Sequence, residues 1–115
     1  MFWLFSAGFC VAAIFHLAAL IDPTLGEPAP PWRHVLFAAI NVAAAVGMAR
    51  RPRGFVLAFA VLLAQQLYSH GTALVSTCRS DHRVDWASVV VLVVMPAAFA
   101  LLVRDARVSR SPRGK

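Results

Sequence analysis

Charge is what this sequence has least of. Only 14% of its 115 residues are Asp, Glu, Lys or Arg, against a hydrophobic share of 60% and a mean hydropathy of +0.71. Soluble domains commonly carry about a quarter charged residues. So few charges could not cover so much apolar surface in water, which excludes a soluble globule and makes lipid part of the solvent. Acidic residues number five, and none lies inside a long apolar run. There is no phosphate-binding glycine loop and no nucleophile elbow, so phosphoryl transfer and serine hydrolysis lack their residues. The two cysteines are not expected to pair. Cys10 lies deep in an apolar run and reads as a small packing residue. Cys78, in a polar stretch, reads as a free thiol or a crosslink to a partner.

What is present is one domain's length of chain, organised as four apolar runs at about residues 2–21, 32–49, 54–75 and 86–103. Each approaches the ~20 residues that cross a ~30 Å hydrocarbon core at 1.5 Å per residue. Arg33, at the edge of the second run, is the one charge within them. The runs are continuous and too long for the alternating strands of a barrel, so helices are expected. The punctuation agrees. Asp22-Pro23 should end the first helix. Glu27-Pro28-Ala29-Pro30-Pro31 should be extended, with Pro31 opening the second helix. Arg50-Arg51-Pro52-Arg53-Gly54 reads as a tight basic turn, residues 76–85 as a polar loop, and Pro96 as a kink in the fourth helix. The first run offers no basic segment before it, as a cleaved signal would, and is expected to stay as an anchor.

Basic residues set the orientation. Eight of the eleven, Arg50, Arg51, Arg53, Arg104, Arg107, Arg110, Arg113 and Lys115, flank the inner ends of the runs, and three lie in the other loops. The positive-inside rule then places both termini in the cytoplasm, with Trp32 and Trp86 at the outer boundary. Arg50, Arg51, Arg53, Arg104 and Arg107 should contact anionic lipid headgroups. Basic residues placed this way are not those of a nucleic-acid binder, and none is expected as a partner. The sequence thus predicts an all-α integral membrane protein of the plasma or bacterial inner membrane. Residues 1–104 would form four transmembrane helices in an up-down-up-down bundle, and residues 105–115 a basic tail without fixed structure. In length and layout this resembles the small multidrug-resistance transporters. Their essential acidic residue in the first helix has no counterpart, and His16 replaces it only in outline.

Polar side chains in such spans are costly unless paired, so they mark where function would sit. His16, His34 and His70 fall at similar expected depths, about 8 Å or less below the outer helix ends. Asn41 and Gln66 would form a second layer, and Gln65, Tyr68 and Ser69 adjoin it. His34 and Asn41 share a face, roughly opposite a ridge of Ala39, Ala43 and Gly47 suited to close helix approach. Three imidazoles from different helices could coordinate a transition metal, with Asn or Gln orienting the rings. Two could ligate a haem, and an uncharged imidazole could relay protons or bind an apolar substrate. The plainer reading is that each His and Gln bonds a neighbouring helix and fixes its register. His82 reads as a solvated loop residue. Two function classes follow: a metal- or haem-binding redox component, or an accessory subunit or small transporter. In the second, the polar residues face a path, a homo-oligomer or a larger membrane complex.

Overall fold

The computed structural model describes residues 1–25 and 29–110, and they are helical throughout apart from short connectors. In chain order these are α1 (Phe2–Ile21), a single 3-10 turn (Pro23–Leu25), α2 (Pro31–Arg50), α3 (Phe55–Ser80) and α4 (Trp86–Arg110). No strand occurs among the described residues. Three helices are long and apolar enough to cross a membrane: Phe2–Ile21, Pro31–Arg50 and the Trp86–Ser109 part of α4. The chain divides into two compact units, Met1–Pro52 and Arg53–Lys115, each built on a helical hairpin.

In the first unit the helix ends are set by proline. Asp22 is held extended ahead of Pro23, closing α1, and its carboxylate accepts the N–H and hydroxyl of Thr24. Pro31 opens α2 at its first position after an extended Pro30, because its missing N–H would have no helical partner there. Of the expected extended stretch, Glu27 and Pro28 lie outside the described residues. Arg51 ends α2 in the left-handed conformation, φ 49°, its N–H donating to Gly47 O at 2.7 Å. Pro52 then forbids further helix.

The two helices run antiparallel in one register. Phe2 meets Arg51, Ser6 meets Ala45 and His16 meets His34, so positions descend along α2 as they rise along α1. The buried residues of α1 are Ser6, Ala13 and Ala19. Those of α2 are His34, Ala38, Ala44, Ala45, Gly47 and Met48. Ser6 and Ala13, seven apart, share one stripe of α1, and spacings of four, seven and three put His34, Ala38, Ala45 and Met48 on one stripe of α2. The small side chains let the backbones come close, and the Ser6 hydroxyl donates to the Ala45 carbonyl across the gap at 2.9 Å. This corrects the expected ridge. Ala39 and Ala43 are exposed, and the face that carries His34 and Asn41 is the one that packs. Repeated alanine drew the expectation to the wrong side, because in an alanine-rich helix small residues occur on every face.

In the second unit α3 and α4 are also antiparallel. Phe59 stacks on Phe99 with rings 7° from parallel, and His70 faces Ser88. From 59 to 70 and from 88 to 99 are eleven residues each, so the register holds without slip. Phe59, 1% exposed, anchors α3 against a stripe of Ser88, Met95, Ala98 and Leu102 on α4. The α4 helix continues through Pro96.

Both helices outrun their expected ends. α3 extends to Ser80 rather than 75, so the polar loop shrinks to residues 81–85, where His82 adopts φ 50°. Along this half of α3 the hydroxyls bond back to their own helix: Ser80 donates to Ser76 O, and Thr72 to the carbonyls of Tyr68 and Ser69, each at 2.9 Å. A polar helix end exposed to water has the composition of a loop. α4 likewise continues to Arg110, so the expected tail is helical over residues 105–110, and 111–115 lie outside the described residues. α3 passes Ser88, the third residue of α4, and continues ten residues beyond His70. It therefore overhangs the start of α4 by about two turns, roughly 11 Å.

The packing predicts an asymmetry between two alanines of α2. Ala45→Leu should destabilise the chain by about 1–3 kcal/mol by overpacking the α1–α2 seam. Ala39→Leu, on the exposed face, should stay within about 0.5 kcal/mol. Thermal unfolding in one detergent compares them directly, and equal effects would refute the register.

Candidate functional site

The polar residues singled out by sequence resolve into one cluster in each hairpin. In the first, the Nδ1 atoms of His16 and His34 lie 3.4 Å apart, with ring centroids 5.7 Å apart and planes tilted by 46°. The antiparallel register creates the pair, since His16 lies five residues before the end of α1 and His34 three residues after the start of α2. His34 is buried at 8% exposure and His16 is half-buried. The His16 ring stacks on Phe37, 5.5 Å away and 21° from parallel, and meets Phe15 edge-on. The Arg33 guanidinium stands 5.9 Å from the centre of Phe37. For Nδ1 to face Nδ1, one ring must donate and the other accept, so the two neutral rings hold different tautomers.

Asn41 does not support this pair through its amide N–H. Its Nδ2 donates to Phe37 O of its own helix at 2.8 Å, the local bond that polar residues in helices commonly make.

The second cluster joins α3 to the first turn of α4. Asp85 caps α4: one carboxylate oxygen accepts the Ser88 N–H at 3.2 Å and the other accepts the Ser88 hydroxyl. The same Ser88 oxygen lies 2.9 Å from Nδ1 of His70. An ionised carboxylate only accepts, so the serine proton goes to Asp85 and His70 Nδ1 must donate to Ser88. The order is Asp–Ser–His, with serine in the middle. A hydrolytic triad places histidine in the middle, and Ser88 at 1% exposure is closed to any substrate. The arrangement is a fastening between helices. The Ser88 hydroxyl, then the N–H groups of Ser88 and Ala87 and the charge of His70, hold the Asp85 carboxyl below the ordinary carboxylate range. They do so against an opposing effect of desolvation.

The other α3 residues divide by face. Gln66 and Ser69 are half-buried, whereas Gln65 and Tyr68 are exposed, Tyr68 at 76%. Sequence reading missed Ser88, Ser6 and Asp85. The signal for Asp85 was there, since an Asp immediately before the first apolar residue of a helix is a preferred N-cap.

The expected three-histidine centre does not form. No group of three or more His, Cys, Asp or Glu side chains placed to hold a metal ion occurs among the described residues. The His16–His34 nitrogens do have the spacing of two ligands in a tetrahedral site, where ~2.05 Å bonds put nitrogens about 3.3 Å apart. Such sites need three or four protein ligands, and among the described residues no third His, Cys, Asp or Glu joins these two. A haem would need the rings on opposite faces of a macrocycle, and here they meet directly.

Of the basic residues expected at headgroups, Arg50, Arg53, Arg104 and Arg107 are exposed. Arg51 lies over the Phe2 ring, 4.9 Å from its centre, at the open end of the first hairpin. No protein family matches this chain, and no curated protein or solved structure proved significantly similar to it.

The Asp85 cap has a pH signature. Its folded pKa is depressed, so its contribution is complete above the unfolded value of about 3.9 and is lost as pH falls through the lower folded value. Unfolding followed from pH 7 down to pH 2 should show stability declining below about pH 4. Asp85→Asn should remove part of that decline, and an unchanged acid limb would exclude Asp85 as its source.

Proposed function

We propose that this chain is a four-span integral membrane protein of the plasma or bacterial inner membrane, with both termini cytoplasmic. In this reading it serves as a small accessory subunit whose polar side chains fasten its helices and fix their register. One observation carries the reading. The hydrogen bonds of Ser6, His16 and His34, and of His70 and Ser88, run between the two helices of a single hairpin. In lipid a polar side chain bonded across a seam holds helices that have no hydrophobic drive to associate. Each bond also selects one register.

α3 is the span that most needs argument. Its first half is apolar, and from Gln65 onward polar residues lower its hydropathy. Crossing is supported by its 26-residue length and by the attachment of His70 to α4, which relieves the cost of an imidazole in lipid. The up-down-up-down order is supported by two antiparallel hairpins and by the basic residues at the Arg50, Arg51 and Arg53 turn and along the end of α4. A redox or metal-handling role would need donors beyond the His16–His34 pair.

Three measurements test this. Impermeant maleimide should label Cys78, exposed on the overhanging end of α3, from outside, and a cysteine placed at Arg53 only after permeabilisation. The reverse pattern would overturn the orientation. Mild oxidation in native membranes should trap Cys78 in a discrete homodimer or partner adduct. Elemental and spectral analysis should find neither stoichiometric metal nor haem. A metal present at one per chain and lost in His16→Ala would replace the accessory reading with the metal-handling one.

A further inference from the structure

We infer that the end of α4 carries a specific site for an anionic phospholipid, with Arg104 and Arg107 holding the phosphodiester and an acyl chain lying in the hollow beside them. This rests on the membrane reading above and narrows a general headgroup attraction to one place.

The hollow is lined by Phe99, Ala100, Val103, Arg104, Arg107 and Val108, all from α4. These residues form two neighbouring rows at helical spacing: Phe99, Val103 and Arg107 on one, Ala100, Arg104 and Val108 on the other. A dip lies between the rows where Ala100 projects least. The wall on the Phe99 side is fixed, because that ring stacks on the buried Phe59 of α3. The floor is therefore apolar and rigid.

The position along the helix supplies the second argument. Trp86 to Arg104 is 18 residues, about 27 Å, close to the thickness of a hydrocarbon core. With the indole at the outer boundary, Arg104 reaches the inner one, where acyl chains give way to phosphates. Both arginines are exposed, and at i and i+3 they lie on one face, 60° apart. A guanidinium presents a planar fork of donors that fits phosphate oxygens, and two forks can share one phosphodiester. Asp105 is displaced by 100° from Arg104 and by more from Arg107, so its carboxylate belongs to another face. Charge complementarity selects an anionic lipid, and the apolar floor beneath the arginines selects a lipid over free phosphate.

The test uses the full chain reconstituted with phosphatidylglycerol and phosphatidylcholine of identical acyl chains, with retained lipid counted by native mass spectrometry. Wild type should keep one phosphatidylglycerol in preference, and excess inorganic phosphate should not displace it. Arg104→Gln/Arg107→Gln should weaken that retention about tenfold or more. Arg79→Gln/Arg83→Gln, which removes the same charge from residues with no expected headgroup role, should leave it unchanged. Val103→Trp fills the hollow without altering charge and should weaken retention as well, with unchanged helical circular dichroism confirming the fold. Equal losses from the two arginine pairs, no loss from Val103→Trp, or displacement by phosphate would each overturn the site. A chain that stays in carbonate-washed membranes without lipid preference defeats this inference alone. A chain released by carbonate defeats the membrane reading with it.

Discussion

The fold depends on one constraint: in an apolar surrounding, a polar side chain must find its partner on a neighbouring helix or on its own backbone. In water an unpaired imidazole or hydroxyl is hydrated at little cost, so it says little about packing. In hydrocarbon the same group is penalised until it bonds. Ser6, His16, His34, His70 and Ser88 are the residues on which this pressure would act in a membrane, and each is bonded across a hairpin seam. Where the seam is otherwise mostly alanine, with one glycine and one methionine, as between α1 and α2, dispersion alone would tolerate neighbouring registers. Two polar contacts at residues ten apart along α1 leave one.

The hairpins solve the problem differently. The first joins two imidazoles in direct contact, an arrangement that depends on unlike tautomers. The second uses a helix cap. Asp85 satisfies the opening N–H groups of α4, as the end of any helix requires, and by holding the Ser88 proton it turns the serine oxygen into an acceptor for His70. A local device for starting a helix thus also ties that helix to its neighbour. Arginine serves the opposite ends, where Arg51 closes α2 over the Phe2 ring and Arg104 and Arg107 stand over an apolar hollow.

Much of the fold was legible in residue order. The starts of α2 and α4 and the end of α1 follow from Pro31, Trp86 and Asp22-Pro23, because proline and a change of polarity act locally. The ends of α3 and α4 were not legible. Ser76 to Ser80 and Arg104 to Arg110 are polar, and composition does not separate a solvated helical turn from a loop. The packing face of α2 was also misread, since alanine at every angle gives no directional signal. Three of the four histidines were recognised as informative, but their partners were not: His34 was expected in a triple with His16 and His70, and Ser88 was overlooked.

Hydrophobicity and the placement of arginine, both summed over segments, are properties of the chain that no tertiary contact alters. They determined the helical class, the apolar runs and the asymmetry of charge between their ends. Which polar groups meet was decided only by tertiary structure. It depends on the relative register of two antiparallel helices, and a shift of one residue turns a side chain by 100° and removes it from the seam. That register fixed His16 on His34 and His70 on Ser88, and so replaced an expected three-histidine centre with two separate fastenings.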